Sequence, residues 1–167
     1  MFCVRCGKEL QRVWMGSAPP PAEEDIAAAC TECGYIHYEG PAVVAGVIVP
    51  DGTRILLGRP HGANLPILIS GYLKANESVE DAAIRETREE TGLSISVDRI
   101  LGSYSVGLLG LNAVLVVCVA EVRGGELRRQ ESELAELDWF ELSELPRWPD
   151  EWPVTRAVRD YIRAVSR

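Results

Sequence analysis

Two groups of residues in this chain could do chemistry. Cys3 and Cys6 stand two residues apart, and so do Cys30 and Cys33. That gap lets both thiolates of a pair face one tetrahedral ion, and two pairs supply the four sulfur ligands of a structural zinc site. The second group is Glu86, Glu89 and Glu90, within Arg85-Glu-Thr-Arg-Glu-Glu-Thr-Gly92. On a helix, Glu86 and Glu90 lie one turn apart on one face, with Glu89 adjacent. Like charges so placed repel, and carboxylate oxygens are the hard ligands that Mg²⁺ or Mn²⁺ prefer. On the residues alone, such a cluster reads first as a solvated acidic helix face, with Arg85 and Arg88 relieving the repulsion.

The cysteine pairs are separated by 23 residues, slightly more than a zinc ribbon usually has. Ser17-Ala-Pro-Pro-Pro21, followed by Ala22 to Asp25, accounts for the excess as a looped-out tip between short strands. Disulfides fit poorly with a chain in which no export signal is read, and a redox CxxC usually occurs once. A segment this small buries too little to fold unaided, whereas structural zinc supplies on the order of 10 kcal/mol of folding free energy. Four thiolates leave no open position, so Zn²⁺ is expected in a structural role. His37 follows the second pair and is read as a surface or hinge residue, and His61 stays unassigned. Cys118 lies alone in an apolar run and reads as a buried strand cysteine.

These residues need elements to position them. The chain has 167 residues, 47% hydrophobic and 25% charged, enough for one ordinary domain and a small appendage. The expected division is a ribbon over 1–39 and a domain over 40–167. No apolar run is long enough to cross a membrane, so no membrane partner is expected, and the cytoplasm is the expected compartment. Net charge is −8, from 17 basic and 25 acidic residues. That opposes loose binding to duplex nucleic acid, which is not expected as a partner, but allows a small anionic ligand bridged by divalent ions.

Ala42 to Val49 is a valine-rich run ended by Pro50-Asp51-Gly52, a strand and a turn, and Arg54 to Leu57 reads as the returning strand of that hairpin. Ile67 to Ile69 is a short apolar strand leading into Gly71. Ser78 to Thr91 reads as a helix, capped by Ser78 with Asp81 three residues on and ended by Gly92. Ile95 to Tyr104 contains a further strand, Asn112 to Val122 is the longest strand, and Leu137 to Phe140 is a final short one. Val154, Val158, Ile162 and Val165 recur at helical spacing, an amphipathic helix packing on the core. Mixed strands with two helices suggest a layered α/β sandwich.

The segment from Gly71 to Leu93 resembles the Nudix box, G-x5-E-x7-R-E-U-x-E-E-x-G-U with U bulky and apolar. Gly71, Glu77, Arg85, Glu86, Glu89, Glu90 and Gly92 match every fixed position, and Leu93 fits the last U. Thr87 departs where an aliphatic residue is usual, but it shares a stripe with Val79 and Ala83. Cys30 to Tyr38 leading into Pro41-Ala-Val-Val resembles the ribbon-to-domain junction of zinc-ribbon Nudix proteins, NADH pyrophosphatases among them. Ile69-Ser-Gly71-Tyr-Leu also resembles that group's approach to the box. Glu131-Ser-Glu133-Leu-Ala-Glu136-Leu-Asp-Trp139-Phe140 resembles a segment before the family's last strand, in which Glu133 matches an additional carboxylate.

The resemblance implies an α/β/α sandwich with a mixed sheet, preceded by a small zinc ribbon. It implies a pyrophosphatase in which water attacks a nucleoside diphosphate linked to another moiety, NAD(H) or ADP-ribose being candidates. Glu86 and Glu90, assisted by Glu89 and the Gly71 carbonyl, are the expected ligands of catalytic Mg²⁺ or Mn²⁺. Glu86 or Glu133 would deprotonate the water, while Arg85 and Glu77 pair to fix loop and helix. Ribbon-bearing relatives suggest a homodimer, though no residue here argues for one. The S-Q-P-W-P-F-P-x-S segment of NADH pyrophosphatases has no counterpart in 94–120. Leu108 stands where ADP-ribose hydrolases often place proline, and Leu109 to Leu111 offer no tyrosine of the dinucleoside polyphosphate kind. Tyr72, Tyr104 and Trp139 could stack on a base, with core packing as their ordinary duty. The alternative function is a nucleotide-binding regulator whose ribbon contacts protein or nucleic acid.

Overall fold

The computed structural model of the chain describes residues 1–13, 27–37, 40–106 and 112–166. The expected loop tip at Ser17 to Asp25 lies outside them, as do Tyr38 and Leu108 to Leu111. The chain divides into two compact units, Met1–Pro41 and Ala42–Arg167.

In the first unit β1 (Gln11–Val13), β2 (Ala27–Ala29) and β3 (Ile36–His37) form an antiparallel sheet in that order. Both cysteine pairs sit in turns built alike. The Cys3 carbonyl accepts from the Gly7 N–H at 2.9 Å, and the Cys30 carbonyl from that of Gly34 at 3.0 Å. Gly7 and Gly34 take φ of 72° and 70°, the left-handed region where a Cβ is penalised. His37 is a strand residue, paired with Ala28.

The second unit runs β4 (Ala42–Ile48), β5 (Pro50–Asp51), β6 (Arg54–Pro60), β7 (Ile69–Tyr72), α1 (Val79–Thr91), β8 (Leu93–Val106), β9 (Ala113–Gly125), β10 (Leu134–Glu141) and α2 (Pro153–Val165). Its main sheet has the order β7-β4-β9-β8, with β4 parallel to β9 and the other neighbours antiparallel. A smaller sheet has the order β10-β6-β5.

The central strands are apolar on both faces because both faces are covered. Ala45 and Val47 of β4, followed by Val49, pack with Ala82 and Ala83 of α1. Ile48, with Leu115, Val117 and Val119 of β9, packs with Val154, Ala157, Val158 and Tyr161 of α2. The helices thus lie on opposite faces of a mixed sheet, an α/β/α sandwich. Cys118 belongs to the α1 side, fully buried, where desolvation pushes its thiol up to about 11.

Several expected elements shift. The hairpin is short: β6 pairs with β5 only at Pro50 and Asp51, while its other edge runs along β10 over its whole length from Arg54 to Pro60. Both edges of β4 are already taken by β7 and β9, so β6 peels away to a sheet of its own. The strand expected at Ile67 to Ile69 begins at Ile69 and includes Gly71, while Ile67 makes an isolated bridge to Gly58. The last strand is longer than expected because Leu134 and Glu136 also find partners on β6. Val165, expected on the packed stripe of α2, is 52% exposed, in a last turn beyond the core.

Candidate active site

Helix α1 carries the acidic cluster, and its packing decides how much water each carboxylate keeps. Ser78 caps it, its hydroxyl accepting from the Asp81 N–H at 3.1 Å, and the N–H of Gly92, at φ 73°, donates to the Arg88 carbonyl. The buried residues are Ala82, Ala83, Thr87, Glu90 and Thr91, a stripe of small side chains that brings the helix close to the sheet. Thr87 is fully buried and donates its hydroxyl to the Ala83 carbonyl at 2.7 Å, so the one departure from the box pattern is satisfied within the helix. Glu90 falls on the same stripe and is only 6% exposed.

Arg85 ties a closed knot. Its guanidinium donates to both Glu77 oxygens, at 2.7 and 2.9 Å, to Glu86 at 2.5 Å, to Glu89 at 3.3 Å and to the Tyr72 carbonyl at 3.1 Å. Glu77 also accepts from the Lys74 N–H at 2.9 Å, which fastens the loop before α1. Arg85 and that backbone N–H hold the Glu77 carboxyl down at about 2. Glu86 lies directly against Gly71, where any Cβ would overlap its carboxylate. A side chain at Gly71 would take the space this carboxylate occupies and displace it, whereas the backbone angle there makes no demand for glycine.

Glu90 has no cation beside it. Burial raises its carboxyl to about 8, with further upward pushes from Glu86, Glu133 and Glu89. Ser70, Gly71, Tyr72, Lys74, Arg85, Glu86, Glu89, Glu90 and Glu133 thus come together around one hollow of 440 Å³.

Glu133 reaches the cluster from a turn that is anchored on two sides. The Arg128 and Gln130 N–H groups donate to the Thr91 and Glu90 carbonyls at 2.8 and 2.9 Å. On the other side, the His61 N–H donates to the Glu133 carbonyl at 3.1 Å, and its ring Nε2 lies 2.8 Å from the Glu131 carbonyl. A carbonyl only accepts, so Nε2 carries the proton. Sequence reasoning left His61 unassigned, because its partners lie 70 residues away.

A larger apolar cavity of 550 Å³ opens beside Gly71, lined by Val44, Tyr72, Val106, Leu115, Trp152 and Val154 among others. Of the aromatics with two possible duties, base stacking or core packing, Tyr72 is 58% exposed on its rim, while Tyr104 is buried and donates to Asp160 at 3.1 Å. Trp139 is half-buried, with the Arg54 guanidinium 5.9 Å from its ring. Trp152 was not singled out from the sequence. Its position immediately before a proline-started helix was the available signal.

The donor sets differ in fit. The Sγ atoms of Cys3, Cys6, Cys30 and Cys33 all lie within 4.8 Å of one another. Tetrahedral Zn–S bonds of about 2.3 Å require sulfurs roughly 3.8 Å apart. Cys3–Cys33 and Cys6–Cys30 contacts of 3.5 and 3.4 Å suit an ion and are too long for disulfides. Among the described residues no other group of three or more His, Cys, Asp or Glu side chains gathers so tightly. Glu86 is instead drawn to Arg85. A divalent cation nonetheless fits here: four carboxylates face one hollow, and the most buried of them lacks a counter-charge.

The comparisons with known proteins agree with this geometry. The NUDIX domain family model matches residues 40–161, more than half of the chain. The "NAD-capped RNA hydrolase NudC" of Haemophilus influenzae (strain PittGG) is 31% identical over 166 residues, covering 94% of this chain. That of Vibrio atlanticus (strain LGP32) is 30% identical over 165 residues. The chain spans 58% and 55% of these two relatives' length. Their names include RNA, so the expectation that set nucleic acid aside finds no support among them. A NUDIX hydrolase structure from Nitrosomonas europaea aligns with a TM-score of 0.69 at 22% identity, covering 97% of this chain and 92% of that one. No helix among the described residues is long and apolar enough to cross a membrane. With the box residues gathered on α1, the loop before it and the end of β7, and a family match over residues 40–161, this chain belongs to the Nudix family.

Proposed function

We propose that the chain is a metal-dependent pyrophosphohydrolase that cleaves a nucleoside diphosphate linked to a second moiety, NAD(H) being the favoured substrate class. Water adds to one phosphorus, the bridging P–O bond breaks, and two phosphomonoesters leave. The observation that carries this reading is Glu90, buried without a cation among Glu86, Glu89 and Glu133. Such a carboxylate is costly unless a cation compensates it.

Glu86, Glu89 and Glu90, with the Gly71 carbonyl, would hold Mg²⁺ or Mn²⁺, which when bound offsets the charge of the two phosphates and acidifies water. Glu133 takes the proton of the attacking water. An Oε of Glu86 is engaged by Arg85, whereas Glu133 receives only a long bond of 3.4 Å from Gln130. Arg85 and Glu77 keep the loop and helix in register, and Tyr72 and Trp152 flank the apolar cavity that receives a base. Cys3, Cys6, Cys30 and Cys33 hold a structural Zn²⁺, and a cytoplasmic setting would keep their thiols reduced. A homodimer belongs to the same proposal, and sedimentation checks it.

The test is hydrolysis of NADH, NAD⁺, ADP-ribose, dinucleoside polyphosphates and nucleoside triphosphates with Mg²⁺ or Mn²⁺. Release of mononucleotide by the wild type, lost in Glu90→Gln, supports the reading. Failure of every substrate with every metal overturns it.

A further inference from the structure

The apolar cavity meets the carboxylate hollow at Ser70, Gly71 and Tyr72. A substrate whose diphosphate lies among the carboxylates extends its neighbouring group into this cavity, and the cavity wall decides what that group can be. Along β7, Ile69 packs on the α1 side, and a Cβ on Gly71 would meet Glu86 of α1. Strand alternation turns Ser70 and Tyr72 to the opposite face, the one that carries the cavity. Beyond them the wall is built by Val44, Val106, Ala113, Leu115 and Val154. Among the described residues no amide, carboxylate, Lys, Arg or His side chain lines it.

The backbone of that wall is committed as well. Val44 is paired on both sides, with Tyr72 and Leu115, and Leu115 in turn with Tyr104. Ala113 is paired with Ala42 and Val106. Ladder bonds run in the plane of a sheet, so its face presents side chains and not N–H or C=O groups. Ile67 exchanges both its bonds with Gly58, at 2.7 and 3.0 Å. At the start of α2 the Trp152 N–H donates to the Pro149 carbonyl at 3.0 Å, and the Trp152 carbonyl accepts from Thr155 at 3.1 Å. Pro153, which follows, has no N–H to offer. What this wall presents to a planar ring is surface, including the aromatic rings of Tyr72 and Trp152.

We propose that the cavity holds a nucleobase by its faces alone, so that the enzyme accepts adenine, hypoxanthine and guanine nucleotides alike and selects its substrate at the diphosphate. This rests on the hydrolase reading above. The polar edge of a base turned against such a wall would lose its water and gain no partner. The base therefore lies with its faces on aromatic and aliphatic side chains and its edge towards the open rim, where Tyr72 is exposed. Hypoxanthine replaces the amino donor of adenine with a carbonyl acceptor, and guanine adds an amino group, so the three differ only along that edge. A site built to hydrogen-bond one substituent rejects the analogue lacking it by roughly 10⁴-fold or more. An apolar pocket manages about 10²-fold at most against a polar isostere.

The experiment measures hydrolysis of the symmetric dinucleoside diphosphates of adenosine, inosine and guanosine with Mg²⁺, beside NADH. Both halves of each carry the same base, so whichever half enters the cavity is the one tested. The three kcat/KM values are expected to agree within about tenfold, the low end of what an apolar pocket discriminates. Tyr72→Ala, on an exposed side chain, and Trp152→Ala are expected to raise KM roughly tenfold for all three alike, with kcat little changed, as loss of a stacking surface does. A preference for one base beyond about tenfold overturns the proposal, as does turnover of NADH with none of the three. KM values that neither variant moves overturn it too, because the base then lies outside the cavity. Each of these leaves the hydrolase reading standing. Failure of all four compounds overturns the hydrolase reading, and calorimetric binding of the three then decides the cavity. Kd values spread beyond about tenfold, or unmoved by Tyr72→Ala, overturn it.

Discussion

In the cysteine knuckles four ligand atoms lie within 4.8 Å of one another, whereas Glu86, Glu89 and Glu90 do not gather so closely. The difference follows from what holds each region. The carboxylates sit on a capped helix packed against a covered sheet, a scaffold stabilised by apolar burial that can tolerate unconverged charges. The first unit has short strands of two or three residues and cannot draw on such a core. In the proposed reading one metal is a folding element and the other a reagent.

Removing metal should therefore separate the two regions. A thiol-compatible zinc chelator, or Cys30→Ser, is expected to unfold the first unit outright, since structural zinc supplies on the order of 10 kcal/mol. Limited proteolysis reads this as loss of protection in residues 1–41 while the second unit stays intact. Survival of both units would break the comparison, because the ribbon would then be stable without its ion.

Glu90→Gln carries the next largest effect. Hydrolysis should fall roughly 10³-fold, as expected when several kcal/mol of metal-borne stabilisation is lost. The metal-free fold should meanwhile gain stability at neutral pH. Because the Glu90 carboxyl is raised from 4.5 to about 8, the folded state holds its proton more tightly than the unfolded chain does. That contribution is fully present below about 4.5 and fades as pH rises through 8. Glu77 has the opposite sign. Held at about 2, it stabilises the fold above 4.5 and loses that contribution as pH falls towards 2. Denaturation of the metal-free protein across pH should show both slopes, and Glu90→Gln should abolish the alkaline one alone.

Arg85→Ala attacks the scaffold at the point where the two carboxylate types meet. It leaves Glu77 and Glu86 without their shared cation, and their side chains are each only 13% exposed. A drop in Tm on the order of 5 °C or more is expected by calorimetry. Lysine at this position should recover little, because it cannot reproduce the forked bonds to Glu77. Full rescue by lysine would show that charge alone suffices.

Much of this was legible in the sequence, for reasons that differ by residue. The helix from its Ser78 cap to Gly92 is local chemistry, written within fourteen or so positions. The paired thiols and the box were legible because fixed spacing on one element maps directly to geometry. The repeated Cys-x-x-Cys-Gly knuckle, with its two left-handed glycines, was open to the same reading and was missed. What the sequence withheld was pairing at a distance. That β6 leaves β4 for β10 depends on which strands occupy the edges of β4, and no local pattern in Arg54 to Leu57 reports it. The burial of Glu90, against its neighbours Glu86 and Glu89, likewise depends on the side of α1 that meets the sheet.

His61 is the smallest case of that non-local kind, and it sharpens the contrast between converged and unconverged ligands. It lies just beyond β6 and touches no carboxylate, yet its backbone and ring both hold the turn that bears Glu133. If Glu133 acts only when that turn is held, His61→Ala should lower kcat about tenfold with little change in KM, the size seen for supporting residues around metal ligands. Glutamine, whose amide can donate to the same Glu131 carbonyl, should restore most of the rate. In a Glu133→Gln background the alanine change should cost nothing further, because the group it positions is already disabled. Multiplying losses in the double variant would show instead that His61 serves the fold and that Glu133 is held by the α1 side of its turn alone.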